Sequence, residues 1–286
     1  RNAALALLPK DIDIVISLDI DEVLEPGWRE EIERVWVPGT TRLKYKYDWG
    51  NDISFFYEKI FARHGYYWHH PVHEYPVFDR RINEVYANTD KLLVRHLPDT
   101  SKSRGQYMPL LELSVKEDPT CPRNAFYFAR ELTFYNRWEE AIKALHSYLE
   151  MPEATWVNER CYAMRLLGKA HQETNDYSKA LKWYRLSCAE QPTSREPWVD
   201  LSYFCYVSST WPECYSSALQ VLAINTREEF YTDDPSVWTE KPWDLASIAA
   251  WNMGLKEEAI ALCKKALEFN PTDTRLINNL KEMTVT

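Results

Sequence analysis

The chain has 286 residues and a hydrophobic content of 45%, the composition of a soluble globular protein with room for one large domain or two ordinary ones. Its formal net charge of -9 argues against general nucleic-acid binding, and no apolar run approaches the ~18 residues of a transmembrane helix. The six cysteines (121, 161, 188, 205, 214 and 263) are scattered without a C-x-x-C, which predicts reduced, mostly buried thiols, a cytoplasmic protein and no zinc site.

Residues 1–100 alternate strand-like and helix-like segments. Asn2–Leu8 reads as a short helix cut off at Pro9, and Ile12–Leu18 as a buried strand. Trp28–Val35 reads as a short helix opened by Pro26-Gly27, and Thr41–Asp48 alternates with period two as a half-buried strand does. Phe55–Arg63 is a further strand, with shorter ones at Val77–Asp79 and Lys91–His96.

The strand Ile12–Leu18 runs into Asp19-Ile20-Asp21. In an extended backbone, residues i and i+2 share a face, so both carboxylates project together from the strand end. Two like charges there need neutralising, and a hard divalent cation with oxygen ligands does this. The bland alternative is a turn or helix cap at Asp21-Glu22. A second cluster, Trp68-His-His70-Pro-Val-His73-Glu74-Tyr-Pro76, puts three His and one Glu beside aromatic rings. Its prolines forbid a regular helix, leaving a loop or strand edge. A third, His96 followed by Lys102 and Arg104, offers an imidazole and two cations suited to phosphate oxygens, or simply a basic linker.

From Gly105 the pattern turns helical and repeats. Arg137-Trp-Glu-Glu-Ala141-Ile recurs as Asp176-Tyr-Ser-Lys-Ala180-Leu and as Leu255-Lys-Glu-Glu-Ala259-Ile, with a weaker copy at Glu213–Ala218. The alanines at 141, 180, 218 and 259 stand 39, 38 and 41 residues apart, and Pro192 and Pro271 each follow their alanine by 12. A small residue at a helix crossing and a terminating proline describe a helix-turn-helix repeat. These units resemble tetratricopeptide repeats, lengthened from the usual period near 34. The resemblance implies a protein or peptide partner on the repeat surface. Asn225–Pro242 reads as a loop interrupting the array.

Taken in this order, the three N-terminal clusters and the repeats resemble family 2 glycosyltransferases of the GT-A fold with C-terminal tetratricopeptide repeats. The strings that carry it are Arg1-Asn2-Ala3, Ile16–Glu22, Trp68–Glu74, and His96 with Lys102–Tyr107. The resemblance implies an α/β half of a GT-A (Rossmann-like) domain over 1–104 and an all-α solenoid over 105–286. It implies transfer, with inversion, of a sugar from a nucleotide-diphosphate donor to a glycan, peptide or protein acceptor. On that model Asp19, Asp21 and His96 hold Mn²⁺ or Mg²⁺. Glu74 is the general base, and His73 belongs to the same catalytic set. Arg1 and Asn2 line the donor site, Trp68 stacks on sugar, and Lys102 and Arg104 close over the diphosphate. Only 18 residues precede Asp19, so the model also expects an N-terminally incomplete domain. Two other readings remain: a non-catalytic tetratricopeptide interaction scaffold with a degenerate glycosyltransferase remnant, and a metal-dependent phosphoesterase using Asp19, Asp21 and His73.

Overall fold

A computed structural model describes the chain except residues 80, 82, 100–103 and 286 and the side chain of Arg104. It divides into two compact units, residues 1–117 with 229–231, and residues 118–228 with 232–286.

The first unit is built on a five-stranded sheet. Helix α1 (Asn2–Leu7) precedes β1 (Ile14–Ile16) and β2 (Glu22–Leu24). Helix α2 (Trp28–Val35) follows, then β3 (Arg42–Gly50), β4 (Ile53–Ala62), the hairpin strands β5 (Tyr66–His69) and β6 (Tyr75–Phe78), and β7 (Tyr86–His96). The strand order is β1-β4-β3-β7-β2, and β5 and β6 form a separate two-stranded sheet. Left-handed Gly50, Asn51 and Asp52 make the β3–β4 turn, where glycine and Asx residues tolerate positive φ. Bulges after Leu43 and Asp48 curl the sheet. Ile32, Leu43, Tyr45, Tyr47, Ile60, Leu92 and Val94 make its core.

This sheet corrects the GT-A expectation. Among the described residues only β3 and β7 pair in parallel, and every other neighbouring pair in this sheet is antiparallel. A doubly wound Rossmann-like sheet needs successive parallel strands joined by crossover helices, and consecutive β3 and β4 are instead joined by a tight turn.

Helix α3 (Tyr107–Glu117) belongs to the first unit. The second unit is helical: α4 (Pro122–Phe134) pairs with α5 (Trp138–Leu149), α6 (Val157–Glu173) with α7 (Tyr177–Glu190), α8 (Arg195–Val207) with α9 (Trp211–Ala223), and α10 (Lys241–Asn252) with α11 (Lys256–Phe269). Helix α12 (Thr274–Val285) ends the array, burying Leu276 and Met283.

Each pair is built the same way. A small residue on the first helix stands twelve positions before a small residue on the second: Ala129 and Ala141, Gly168 and Ala180, Ser202 and Cys214, Ser247 and Ala259. Ala129, Ala141, Ala180, Ser202, Cys214 and Ala259 are 0% exposed and Ser247 is 1%. A Cβ on Gly168 would stand 2.7 Å from the ring of Tyr184. The hydroxyls of Ser202 and Ser247 donate to the carbonyls of Cys214 and Ala259, each at 2.9 Å, so polarity at the crossing is satisfied. The third pair therefore counts from Cys214. Ala218, the sequence-based anchor, lies one helical turn further on and is also buried.

The turns within the pairs repeat as well. Asn136, Asn175, Ser209 and Gly254 all have positive φ. Around Asn136 the amide of Arg137 donates to Leu132 O (3.0 Å) and that of Asn136 to Thr133 O (3.1 Å), which is the Schellman motif. The same two bonds close the turns at Asn175, Ser209 and Gly254. After α7 and α11 the chain stops at Gln191-Pro192 and Asn270-Pro271 with similar cap angles, φ -136 and -134. Among the described residues, no helix is long and apolar enough to cross a membrane.

Candidate functional site

The chemistry-bearing residues of the first unit meet where α1, the β1–β2 connection and the β5–β6 hairpin converge. The strand stops at Ile16, and Glu22 N donates to Asp19 O at 3.0 Å, closing a four-residue turn. Ile20 at its tip is fully exposed. The backbone is thus not extended through Asp19-Ile20-Asp21, and the two carboxylates do not project together. Of the alternatives, a turn is the one observed, spanning Asp19 to Glu22.

Asp19 is bound by cations of the chain itself. Arg1 donates to Asp19 Oδ1 through one terminal nitrogen, to Ser17 Oγ at 3.2 Å through the other, and to Glu74 Oε1 through Nε. Its guanidinium lies 4.5 Å from the Trp68 ring centroid. Asn2 completes the bracket, donating to Trp68 O at 2.8 Å and accepting from Trp68 N at 2.7 Å. The other Asp19 oxygen accepts from Lys59 Nζ at 2.6 Å, and Lys59 also donates to Glu22 Oε1 at 2.7 Å. Tyr47 donates to the same Glu22 oxygen at 2.8 Å, while Glu22 Oε2 accepts from Asp19 N at 2.8 Å. Lys59 and Glu22 are 5% and 8% exposed.

Burial alone would raise the Asp19 carboxyl, but hydrogen bonds and charge from Lys59 and then Arg1 outweigh it and hold it below its ordinary value. Burial likewise disfavours the Lys59 ammonium. Tyr57, Asp19 and Glu22 overcome that and raise its pKa.

Asp21 turns the other way, its Oδ2 3.6 Å from His96 Nε2. His96 stacks on Trp49 with centroids 4.4 Å apart. His73, with φ 49, stacks on Tyr107 at 5.5 Å and 10°. Arg1, Asn2, Asp19, Trp68 and Glu74 are therefore brought together. Asp21 and His96 form a second pair, and His73 lies against α3. Lys102 lies outside the described residues, as does the side chain of Arg104.

This arrangement does not gather a metal-ligand set. Among the described residues no group of three or more His, Cys, Asp or Glu side chains is placed to hold a metal ion. The oxygens of Asp19 face a guanidinium and an ammonium. The charge of the Asp19 carboxylate is met by Arg1 and Lys59. Sequence reading missed Lys59, Glu22, Tyr47 and Ser17. A signal existed: Tyr45, Tyr47, Tyr57 and Lys59 fall on inward positions of adjacent strands, and a lysine there requires a buried partner.

In the second unit the first helices of successive pairs are joined by polar contacts as well as apolar packing. Arg165 on α6 donates to Asp200 on α8 at 2.6 Å and lies 5.2 Å from the Tyr162 ring. Tyr162 in turn contacts Phe126 of α4, 6.2 Å between centroids. Arg195 donates to Ile224 O at 2.7 and 2.9 Å and to Val237 O at 3.0 Å, and covers Trp238 at 3.8 Å. It thereby caps the end of α9 and fastens the connection that leads to α10.

Residues 242–273 match the family model described as tetratricopeptide repeat. That segment is the α10–α11 pair with its closing Pro271. No curated protein matches the chain. Solved structures resemble its helical part. A thermophilic tetratricopeptide-repeat protein of Thermus thermophilus is 17% identical, TM-score 0.42, covering 63% of this chain and 89% of its own. MamA (41-end) of Desulfovibrio magneticus RS-1 is 13% identical, TM-score 0.47, covering 57% and 84%. PilF of Pseudomonas aeruginosa is 11% identical, TM-score 0.46, covering 62% and 72%. The repeat assignment itself rests on the family match and on the four equivalent helix pairs.

These findings overturn the glycosyltransferase identification. The matching family model is a repeat model, and the N-terminal sheet is not Rossmann-like. The enzyme assignment falls with it. Arg1, Asn2, Trp68 and Glu74 stand together around Asp19, and His73 stands apart against Tyr107. What the geometry gives Arg1, Asn2, Asp19, Trp68 and Glu74 is a structural bracket.

Proposed function

We propose that the chain is a protein-interaction scaffold of the tetratricopeptide type, binding its partner on the surface of helices α4 to α11. The observation that carries this reading is the fourfold recurrence of one helix-pair design, down to the small residues at the crossing and the Schellman turn. Stacked pairs of this kind bury a continuous core and leave an extended surface whose side chains are under no packing constraint. Tyr177, Tyr203 and Val207 are 52%, 49% and 52% exposed on it. Aromatic rings on a rigid frame are suited to partner recognition, because they supply contact area with little side-chain entropy to lose. The six cysteines are free and five are buried, which supports a reducing, cytoplasmic setting.

The test is amide hydrogen exchange on the full chain, with and without a captured partner that binds saturably at fixed stoichiometry. Protection confined to α4–α11 supports the scaffold. Protection confined to residues 1–100, with the repeats unchanged, overturns it.

A further inference from the structure

One position in the helix-pair design breaks its own rule. Three residues after the small residue at each crossing stands the residue whose carbonyl accepts the long bond of the Schellman turn: Leu132, His171, Cys205 and Ala250. Leu132, Cys205 and Ala250 are 1%, 0% and 0% exposed. Packing at this position thus asks for a small or apolar side chain, and the α6–α7 pair puts an imidazole there, 5% exposed. Its ring lies 6.5 Å from that of His146 on α5, and His146 in turn meets Trp183 on α7 at 5.1 Å, so three helices join at this point. The His171 carbonyl accepts from Asp176 N at 2.8 Å and from Thr174 Oγ1 at 3.2 Å.

The surroundings of the ring leave no place for a second proton. Nε2 is buried and has no hydrogen-bond partner among the described residues. Nδ1 stands 4.0 Å from Asp176 Oδ2, too far for a hydrogen bond. That carboxylate is already engaged: Lys179 Nζ lies 2.6 Å from Oδ2, and the Lys179 amide donates to Oδ1 at 3.2 Å, capping α7. From α5 the ring is faced by His146 and Glu139, and from the α7 side by Asp176 and Lys179. A neutral imidazole donates at one nitrogen, an imidazolium at both. Protonation would therefore leave a charged N–H buried without an acceptor, beside Lys179 and a second titrating imidazole. Opening the site to water removes that cost, so proton uptake favours the open form.

We propose that His171 is an acid-operated latch: proton uptake on its ring opens the α6–α7 turn and its contact with α5, while the pairs α8–α9 and α10–α11 stay closed. The opening is local because each pair contacts only its neighbours, and such arrays open in separate cooperative segments. Tyr177, 52% exposed, starts α7 and donates to Asn175 Oδ1 at 3.3 Å, so opening frees an aromatic ring that the closed turn orients on the repeat surface. The latch belongs to the helix pair itself and does not depend on which partner the repeats bind.

The experiment is amide hydrogen exchange on the full chain at about pH 7.5 and about pH 5.5, corrected for the pH dependence of intrinsic exchange. Because the open form exposes an imidazole with the ordinary pKa of 6.5, opening of the α6–α7 turn should rise by up to about tenfold between the two conditions. The rise should be confined to α5–α7. It should vanish in His171→Gln and in His171→Leu, the second of which restores the residue type found at Leu132. No rise in the wild-type protein, an equal rise across α8–α11, or a rise that survives in either variant overturns the latch. A ring titration of the wild-type chain by NMR decides the matter without any variant: a folded-state pKa below 6.5 is expected for His171, and one at or above 6.5 overturns the proposal.

Discussion

The two units handle the polar groups at their tightest packing differently, although the repeats also bury Glu131, Glu159 and Glu196. The sheet unit buries charge: Lys59 and Glu22 lie in its interior, tied to Asp19 and Tyr47. The repeat unit brings small residues together at its helix crossings, where the polar atoms are serine hydroxyls returning to nearby carbonyls. A buried ion pair is all-or-none, because removing one partner strands the other in a low-dielectric interior. A crossing of small residues fails by degrees, since each pair contacts only its neighbours.

The largest expected difference follows from this. Lys59→Met should cost about 3–5 kcal/mol in the sheet unit by leaving Glu22 uncompensated. Adding Glu22→Gln should recover much of it. Amide exchange, read separately in β3–β4 and in α6–α9, should show the loss in the first region only. Equal loss in both would break the contrast.

In the repeat unit, Gly168→Ala forces a Cβ to 2.7 Å from the Tyr184 ring. Overpacking costs about 1–3 kcal/mol and outweighs the helix propensity gained, ~1 kcal/mol. A net loss of about 1 kcal/mol in denaturant unfolding is expected, relieved when Tyr184→Leu is added. A stabilised Gly168→Ala protein would show that the crossing is looser than described.

The acid responses of the two units should separate in pH. His171 on α6 is 5% exposed, and no hydrogen-bond partner reaches its Nε2 among the described residues. Burial lowers its pKa from the ordinary 6.5; Asp176 and Glu139 oppose this, while Lys179 and His146 add to it. The unfolded chain therefore protonates first. Stability of the repeats is full above 6.5 and drains as pH falls below it toward the folded value. Asp19 has a folded pKa below the ordinary 3.8. Its contribution is present above 3.8 and is lost as pH falls through the folded value. Denaturation midpoints followed from neutral pH down to about pH 3 should show two steps. His171→Gln should remove the upper one alone.

The smallest effect concerns one turn. Ser209 occupies a left-handed position filled by Asn136, Asn175 and Gly254 elsewhere. Ser209→Gly should raise stability by about 0.5–1 kcal/mol, read as a shift in the denaturation midpoint. No gain would mean that the hydroxyl compensates the strained backbone.

The repeats were largely legible in the amino-acid sequence. Their signal is local: a small residue, a turn and a proline recur within one helix pair, and a period shows without any long-range contact. Ala141, Ala180 and Ala259 stand where the pattern put them. Only the third copy misled, because Cys214 takes the place of alanine there and Ala218, a turn away, looks more like the anchor. The helix Trp28–Val35 was legible for the same reason, being set by its own periodicity and the preceding Pro26-Gly27.

The N-terminal cluster was legible only as a set of residue types. Strings such as Asp19-Ile20-Asp21 and His73-Glu74 name polar groups without naming their partners. Arg1 reaches Asp19 across 18 positions and Glu74 across 73, and Lys59 reaches Asp19 across 40. Such pairings depend on strand order and on a turn at Asp19, which tertiary packing decides. The sequence by itself determined the helix pairs, because short-range periodicity and turn chemistry suffice for them. Only the tertiary structure decided that the carboxylates answer to Arg1 and Lys59, because a buried charge takes whichever cation the fold delivers to it.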